Sequence, residues 1–264
     1  AKVVDAFFAH YKPEYVFLAA AVVGGIQANI DYPVSFIADN IAIALNVMSA
    51  SHRHGVRKLL NLGSSCIYPR ECPQPIKEEY LLTGPLEKTN EPYAIAKIAA
   101  ITLCKAYNRQ YDTSFISCMP TNLYGPRDNF DRATSHVIPG LIAAMVDAHR
   151  TDAPQVVVWG SGNVRREFLY IDDLVDALLV LMRDYDGDEI INIGTGSDIT
   201  IKELAEIIKQ QVGYQGELVF DSTKPDGTPR KVLEVSRMHM LNWSARTALS
   251  DGIAATINWY ITQH

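Results

Sequence analysis

The sequence predicts an α/β protein built on a doubly wound parallel sheet with a smaller second lobe, and three observations predict it. Short, nearly unbroken apolar runs such as Tyr15 to Ala21 read as strands buried on both faces of a parallel sheet. Longer segments with apolar residues at helical spacing alternate with them, at lengths that suit right-handed crossovers. The apolar run Arg57 to Leu62 ends in Gly63, Ser64 and Ser65, a small-residue turn where open α/β sheets bind their ligands, at a strand's carboxyl end.

In order along the chain, Ala1 to Tyr11 carries Val3, Val4, Phe7 and Phe8 at helical spacing and is stopped by Pro13. The strand Tyr15 to Ala21 leads to Gly24 and Gly25. A long helix is expected from Phe36 to about His52, with Gly55 in the position of a C-cap. The strand Arg57 to Leu62 follows, then a proline-punctuated loop from Pro69 to Pro92, a helix from Tyr93 to about Tyr111 and a strand from Ser114 to Met119. Beyond Pro120 shorter strands are expected near Val156 to Trp159, Glu167 to Tyr170, Ile190 to Ile193 and Leu218 to Phe220. Helices near Ser135 to His149, Asp172 to Arg183, Thr200 to Val212 and Ala248 to Ile261 interleave with them. This divides the chain into a nucleotide-type core over residues 1–120 and a mainly ligand-binding lobe over 121–264, interleaved with the core, with a cleft between them.

Composition narrows the function classes. At 264 residues, 48% apolar and 20% charged, the chain can build an ordinary core. The run Tyr15 to Ile26 contains two glycines and is too short to cross a bilayer. A net charge of -6 without a basic block argues against nucleic acid or an anionic membrane surface as partner. Cys66, Cys72, Cys104 and Cys118 form no CxxC pair and read as reduced thiols of a cytoplasmic protein. The histidines and cysteines show no ligand spacing, so no metal site is expected.

The residues that can do chemistry begin with Tyr93 and Lys97, four apart on one helix face. An ammonium beside a phenol favours the phenolate and is expected to lower the tyrosine pKa toward the range useful for proton transfer. Alone, such a pair is commonplace. Ser64, at a strand's carboxyl end, adds a hydroxyl able to hydrogen-bond a substrate carbonyl beside the tyrosine, although a serine there also suits a plain turn. Cys66 in its loop could be a small buried residue, His136 before Val137-Ile138-Pro139 a helix cap, and Arg166 and Lys231 surface charges.

Taken as a series, Leu62 to Pro69 (LGSSCIYP), Thr89 to Lys97 (TNEPYAIAK), Met119 to Pro126 (MPTNLYGP), Ser135 to Pro139, Val156 to Gly162 (VVVWGSG), Arg166 to Asp173 and Lys224 to Lys231 (KPDGTPRK) resemble the extended short-chain dehydrogenase/reductase family across almost the whole chain. The match lies within the branch that epimerises and reduces GDP-bound 4-keto-6-deoxy sugars. The resemblance implies a Rossmann-like core, NADP as cofactor and a GDP-sugar as substrate. It also implies 3,5-epimerisation and 4-reduction of GDP-4-keto-6-deoxy-D-mannose to GDP-L-fucose, and a homodimer through the helices Phe36 to His52 and Tyr93 to Tyr111. By the same resemblance Ser64, Cys66, Tyr93, Lys97 and His136 are catalytic. Cys66 would remove the proton α to the ketone and His136 return one, while Ser64 and Tyr93 would stabilise the enolate. Leu62, Gly63, Ser64, Ser65, Tyr93, Lys97, Pro120, Thr121, Asn122, Leu123 and His136 would face the cofactor. Trp159, Arg166, Asp226 and Lys231 would face the substrate, and Asn40 matches a position in the family's proton relay.

Two residues depart from the pattern: Val22 stands where relatives carry lysine, and Ala144 where they carry an arginine directed at the diphosphate. This leaves open another GDP-4-keto-6-deoxy sugar as substrate, or a non-catalytic sugar-nucleotide-binding remnant. Ser65 and Cys66 replace the Asp-Glu of 4,6-dehydratases and disfavour that activity. The chain begins at Ala1, and Gly24 and Gly25 lack the GxxGxxG spacing of a dinucleotide fingerprint. The expectation is of a chain lacking the opening strand, helix and second strand of the cofactor fold, on the order of 50 residues.

Overall fold

The computed structural model describes residues 1–132, 134–224 and 226–264. Helix α1 (Lys2–Tyr11) ends at Lys12, whose left-handed backbone at φ 46° turns the chain toward β1 (Tyr15–Leu18). Then come α2 (Ile26–Asp31), α3 (Pro33–Arg53), β2 (Lys58–Leu62), α4 (Glu91–Tyr111) and β3 (Phe115–Pro120). The second half contains β4 (Asn122–Tyr124), α5 (Val137–Arg150), β5 (Gln155–Trp159), β6 (Arg165–Arg166), β7 (Phe168–Tyr170) and α6 (Ile171–Asp184). It continues with β8 (Ile191–Ile193), β9 (Ile199–Thr200), α7 (Ile201–Val212), β10 (Glu217–Asp221), β11 (Arg230–Lys231), α8 (Ser236–Met240) and α9 (Leu249–Gln263).

The main sheet runs β1-β2-β3-β8, parallel throughout. Strand β8 reaches it from the second half of the chain, pairing Ile193 with Pro120. Every residue of β3 is buried, as its apolar run requires. Strand β1 departs from expectation. It is four residues long and among the described residues pairs only with β2, and Tyr15 and Phe17, on one face of it, stay exposed although their run reads as a two-sided buried strand.

Helix α3 is, by length and composition alone, long and apolar enough to cross a membrane. Here it lies along the sheet and α4. Ala44 and Met48 are buried with Leu59, Ala100, Cys104 and Phe115, and Cys104 Sγ lies 3.8 Å from Met48 Sδ. The smaller lobe closes α5, α7 and α9 around the parallel pair β5–β10, with Ile142, Met145, Leu204, Ile208 and Ile253 fully out of solvent. Helix α7 opens with a capping box, Thr200 and Glu203 each accepting from the other's backbone N–H. The consequence for function is that the carboxyl ends of β2 and β3 open toward loops of the smaller lobe.

Candidate active site

Strand β2 delivers the first residues. Its last amide partner is the Gly63 N–H, which donates to Cys118 O at 2.8 Å. A Cβ on Gly63 would come within 2.4 Å of Met119 Sδ, so only glycine lets the turn pass β3 this closely. Ser64 then caps a short 3-10 turn over Ser65–Ile67, its Oγ accepting the Cys66 N–H at 3.3 Å. This turn aims Ser64 and Cys66 into a cleft of about 590 Å³. Tyr93, in the first turn of α4, enters the same cleft, as do Pro120 to Leu123 after β3, His136 at the N-cap of α5, Arg166 of β6 and Lys231 of β11. Residues from both halves of the chain therefore meet on one wall system.

Other sequence-singled residues stand elsewhere. Lys97 is buried behind the wall, where its Nζ donates to Leu62 O at 2.7 Å and lies 5.7 Å from the centroid of the Tyr93 ring. Neither Lys97 nor Leu62 lines the cleft, and neither do Trp159 and Asp226. Trp159 is exposed at the lobe surface with the Lys224 ammonium 5.1 Å over its ring. The Asp226 carboxylate accepts from Ser161 N and Ser161 Oγ, both at 2.8 Å. It presses on Gly160, whose φ of 88° and missing Cβ admit that contact. Asp226 therefore shapes the loop that carries Arg166, whose guanidinium donates to Asp226 O at 3.2 Å. Asn40 is spent on structure: it accepts the Val22 N–H and donates to Val22 O and Phe36 O. Ala144 is buried in the apolar core of the lobe.

The electrostatics correct one expectation. Burial pushes the Tyr93 phenol above its ordinary range, the neighbouring Cys66 adds to this, and only the Ser64 hydroxyl opposes it. No lowering by Lys97 enters this balance; its ammonium donates to the Leu62 carbonyl and is itself driven down by burial. Burial and the neighbouring Cys66 thus favour the protonated phenol of Tyr93. Burial likewise raises the Cys66 thiol, against the opposing pull of Lys231, Ser64 and Lys97. Burial raises the Asp128 carboxyl too, while the charge of His136 favours its ionised form.

Of the cleft residues that the sequence does not single out for chemistry, Asn29 and Asp128 lie in no motif, Asn90 lies inside Thr89 to Lys97, and Gly24 and Gly25 read there only as glycines following a strand. Asn29 and Asn90 each keep a buried Oδ1 with no hydrogen-bond partner among the described residues. Such acceptors suit a ligand rich in hydroxyl and amide donors. Glu167 was also missed. Its fully buried carboxylate accepts from Thr195 N (2.6 Å), Gly196 N (2.7 Å) and Leu233 N (2.8 Å), and its carbonyl accepts from Thr121 Oγ1 and Asn122 Nδ2. It ties the loops after β3 and β8 to the segment after β11. Its place inside the stretch Arg166 to Asp173 is the signal the sequence offers.

The chain is similar to known proteins over nearly its whole length. The pattern of the NAD dependent epimerase/dehydratase family matches residues 1–194. Putative GDP-L-fucose synthase 2 of Arabidopsis thaliana is 55% identical over 258 residues, covering 98% of this chain and 79% of its own. GDP-L-fucose synthase of Escherichia coli K12 is 51% identical over 271 residues, with coverages of 98% and 84%. The crystal structure of a GDP-L-fucose synthetase from Naegleria fowleri bound to NADP superposes with a TM-score of 0.92 at 31% identity, covering 99% of this chain and 81% of that one. The chain belongs to the GDP-L-fucose synthase family, within the NAD-dependent epimerases/dehydratases.

Proposed function

We propose that this chain is an NADPH-dependent enzyme that inverts C3 and C5 of GDP-4-keto-6-deoxy-D-mannose and reduces its C4 ketone to give GDP-L-fucose. The observation that carries the reading is the meeting of Ser64, Cys66, Tyr93 and His136 in one cleft. Both inverted carbons are α to the ketone, so their protons are acidic through an enolate, and one base and one acid supplied by different elements suffice. Cys66 is the base and His136 the acid. Ser64 and Tyr93 donate hydrogen bonds to the oxygen on which enolate charge develops. In the reduction the protonated Tyr93 phenol gives its proton to O4.

The donor set fits NADP. Gly24 and Gly25 give a wall without side chains, and the orphan Asn29 and Asn90 oxygens await donors. Gly63 to Ser65, Pro120 to Leu123, Tyr93 and His136 would hold its nicotinamide side, with Leu62 and Lys97 supporting them from behind. When bound, NADPH supplies the hydride. Arg166 and Lys231 are the cations for the diphosphate, since Ala144 offers none. The open face of Trp159 suits the guanine, and Asp226 holds the intervening loop. In this reading residues 1–120 form the cofactor side and 121–264 the substrate lobe, in a cytoplasmic enzyme whose four cysteines are free thiols.

The test is an assay of the protein with GDP-4-keto-6-deoxy-D-mannose and NADPH. The expected result is loss of NADPH absorbance with GDP-L-fucose as product. No NADPH consumption overturns the assignment, and reduction without inversion redirects it to a 4-reductase. We further propose a homodimer through α3 and α4, whose outward faces expose Val34, Ile41, Leu45, Ile95 and Tyr111. Light scattering is expected to give twice the chain mass for the native protein and a shift toward monomer for Leu45→Glu, because a carboxylate cannot be buried unpaired in such an interface.

A further inference from the structure

We propose that Lys231 is the positioning residue of the Cys66 base: its ammonium is the counter-charge against which the thiolate forms inside the cleft. The inference rests on the reading of Cys66 as the base and goes beyond a phosphate-binding role for Lys231.

The first support is placement. Lys231 enters the cleft from β11 and Cys66 from the turn after β2, so the pair joins the two halves of the chain across the site. The backbone around Lys231 is fixed. Lys231 O accepts the Glu167 N–H at 3.2 Å, Val232 N donates to Gln74 Oε1 at 3.0 Å, and Leu233 N donates to Glu167 Oε2 at 2.8 Å.

The second support is commitment. Three other charged groups face this pair, and each makes hydrogen bonds to backbone. Lys97 gives its ammonium to Leu62 O, Arg166 gives its guanidinium to Arg165 O and Asp226 O, and the Glu167 carboxylate is held by three backbone N–H groups. Tyr93 stays a neutral phenol, and Cys72, the remaining titratable neighbour of Lys231, is a half-buried thiol. Among the described residues the Lys231 ammonium has no hydrogen bond or ion pair to protein. Lys97 also favours a charge on Cys66, but less than Lys231 does, and Lys231 is the one of the two whose ammonium has no protein partner among the described residues.

The electrostatics agree with the geometry. Burial raises the thiol and lowers the ammonium, and for each group the other is the strongest opposing influence. Two desolvation penalties are thus relieved together when Cys66 loses its proton to solvent while Lys231 keeps its own. The sulfur lone pair then takes the proton from C3 or C5, and the C–H electron pair moves into the enolate.

The experiment follows the pH dependence of iodoacetamide alkylation at the Cys66 peptide, read by mass spectrometry on the substrate-free protein. Wild type is compared with Lys231→Met, which keeps the alkyl stem, and Lys231→Arg, which keeps the charge. Removing the cation disfavours the thiolate, so the Lys231→Met midpoint is expected to move up by about one pH unit or more, and Lys231→Arg to recover most of it. Deuterium exchange at C3 and C5 is expected to fall at least about tenfold at neutral pH in Lys231→Met and to recover as pH rises. An unmoved midpoint in Lys231→Met overturns the inference. Wild-type exchange in Cys66→Ser instead overturns the assignment of the base, whatever the midpoint does.

Discussion

Cys66→Ser is expected to abolish deuterium exchange at C3 and C5 while leaving the C4 ketone reducible. A serine hydroxyl fits where the thiol sat, in a turn whose geometry is fixed by the Ser64 cap and by Gly63 against Met119, so the fold has no reason to change. What changes is basicity. An alkoxide is far less accessible than a thiolate, and the positive neighbour that opposes burial of the Cys66 charge cannot make up the difference. Loss of a general base costs about a hundred- to ten-thousandfold, read as deuterium incorporation into substrate and product in heavy water. Tyr93 and its Ser64 neighbour are untouched, so NADPH consumption continues and the product keeps the D configuration at C5. Exchange at the wild-type rate removes Cys66 from the mechanism. Loss of reduction as well shows that inversion must precede hydride transfer.

The residues that made the site legible are those whose backbone setting is local. Ser64 and Cys66 follow a buried strand and a glycine that only a strand-end turn requires, and Tyr93 and Lys97 share a face by helical spacing alone. All four lie within one chain turn of where the pattern places them. What spacing could not reveal was how Lys97 spends its charge: its reach to Leu62 O depends on α4 packing over β2, a tertiary fact. The short strands β4, β6, β9 and β11 hold two or three residues each, too few for any alternation to show. Yet β6 and β11 bring Arg166 and Lys231 side by side. Strand β1 misled for the opposite reason, since an apolar run records what a strand can bury, and Tyr15 and Phe17 lie on a face that the described chain leaves exposed, with the Arg57 guanidinium 5.6 Å over the Tyr15 ring. Asp226 came from a family pattern that does not distinguish a residue touching ligand from one that holds the loop beside it. Glu167, Asn29 and Asn90 act through burial and partner geometry, which a one-dimensional pattern does not carry.

Tyr93→Phe separates the two half-reactions from the other side, because it is expected to damage both. The substitution removes one oxygen and keeps the ring, so the edge-to-face contact with Phe36, with centroids 6.1 Å apart, survives and α4 remains seated. In the reduction the lost group is the proton donor to O4, and kcat is expected to fall about a hundred- to ten-thousandfold. In the epimerisation the lost group is one of two donors to the enolate oxygen. Removing a single oxyanion donor costs about a hundred- to a thousandfold, and the Ser64 hydroxyl that remains limits the loss in exchange to that range. The pH profile carries the sharper consequence. Because burial and the neighbouring Cys66 keep the phenol protonated well above its ordinary range, reduction by the wild-type enzyme is expected to show no alkaline fall attributable to Tyr93 up to about pH 10, the ordinary phenol value. A phenol lowered by Lys97 would instead give a reduction rate that declines through the neutral range as the donor ionises. Steady-state reduction rates of wild type across pH 6 to about 10, set beside exchange rates in the same buffers, distinguish the two. A neutral-range decline present in wild type and absent in Tyr93→Phe would show that the phenol ionises there and that Lys97 sets its charge.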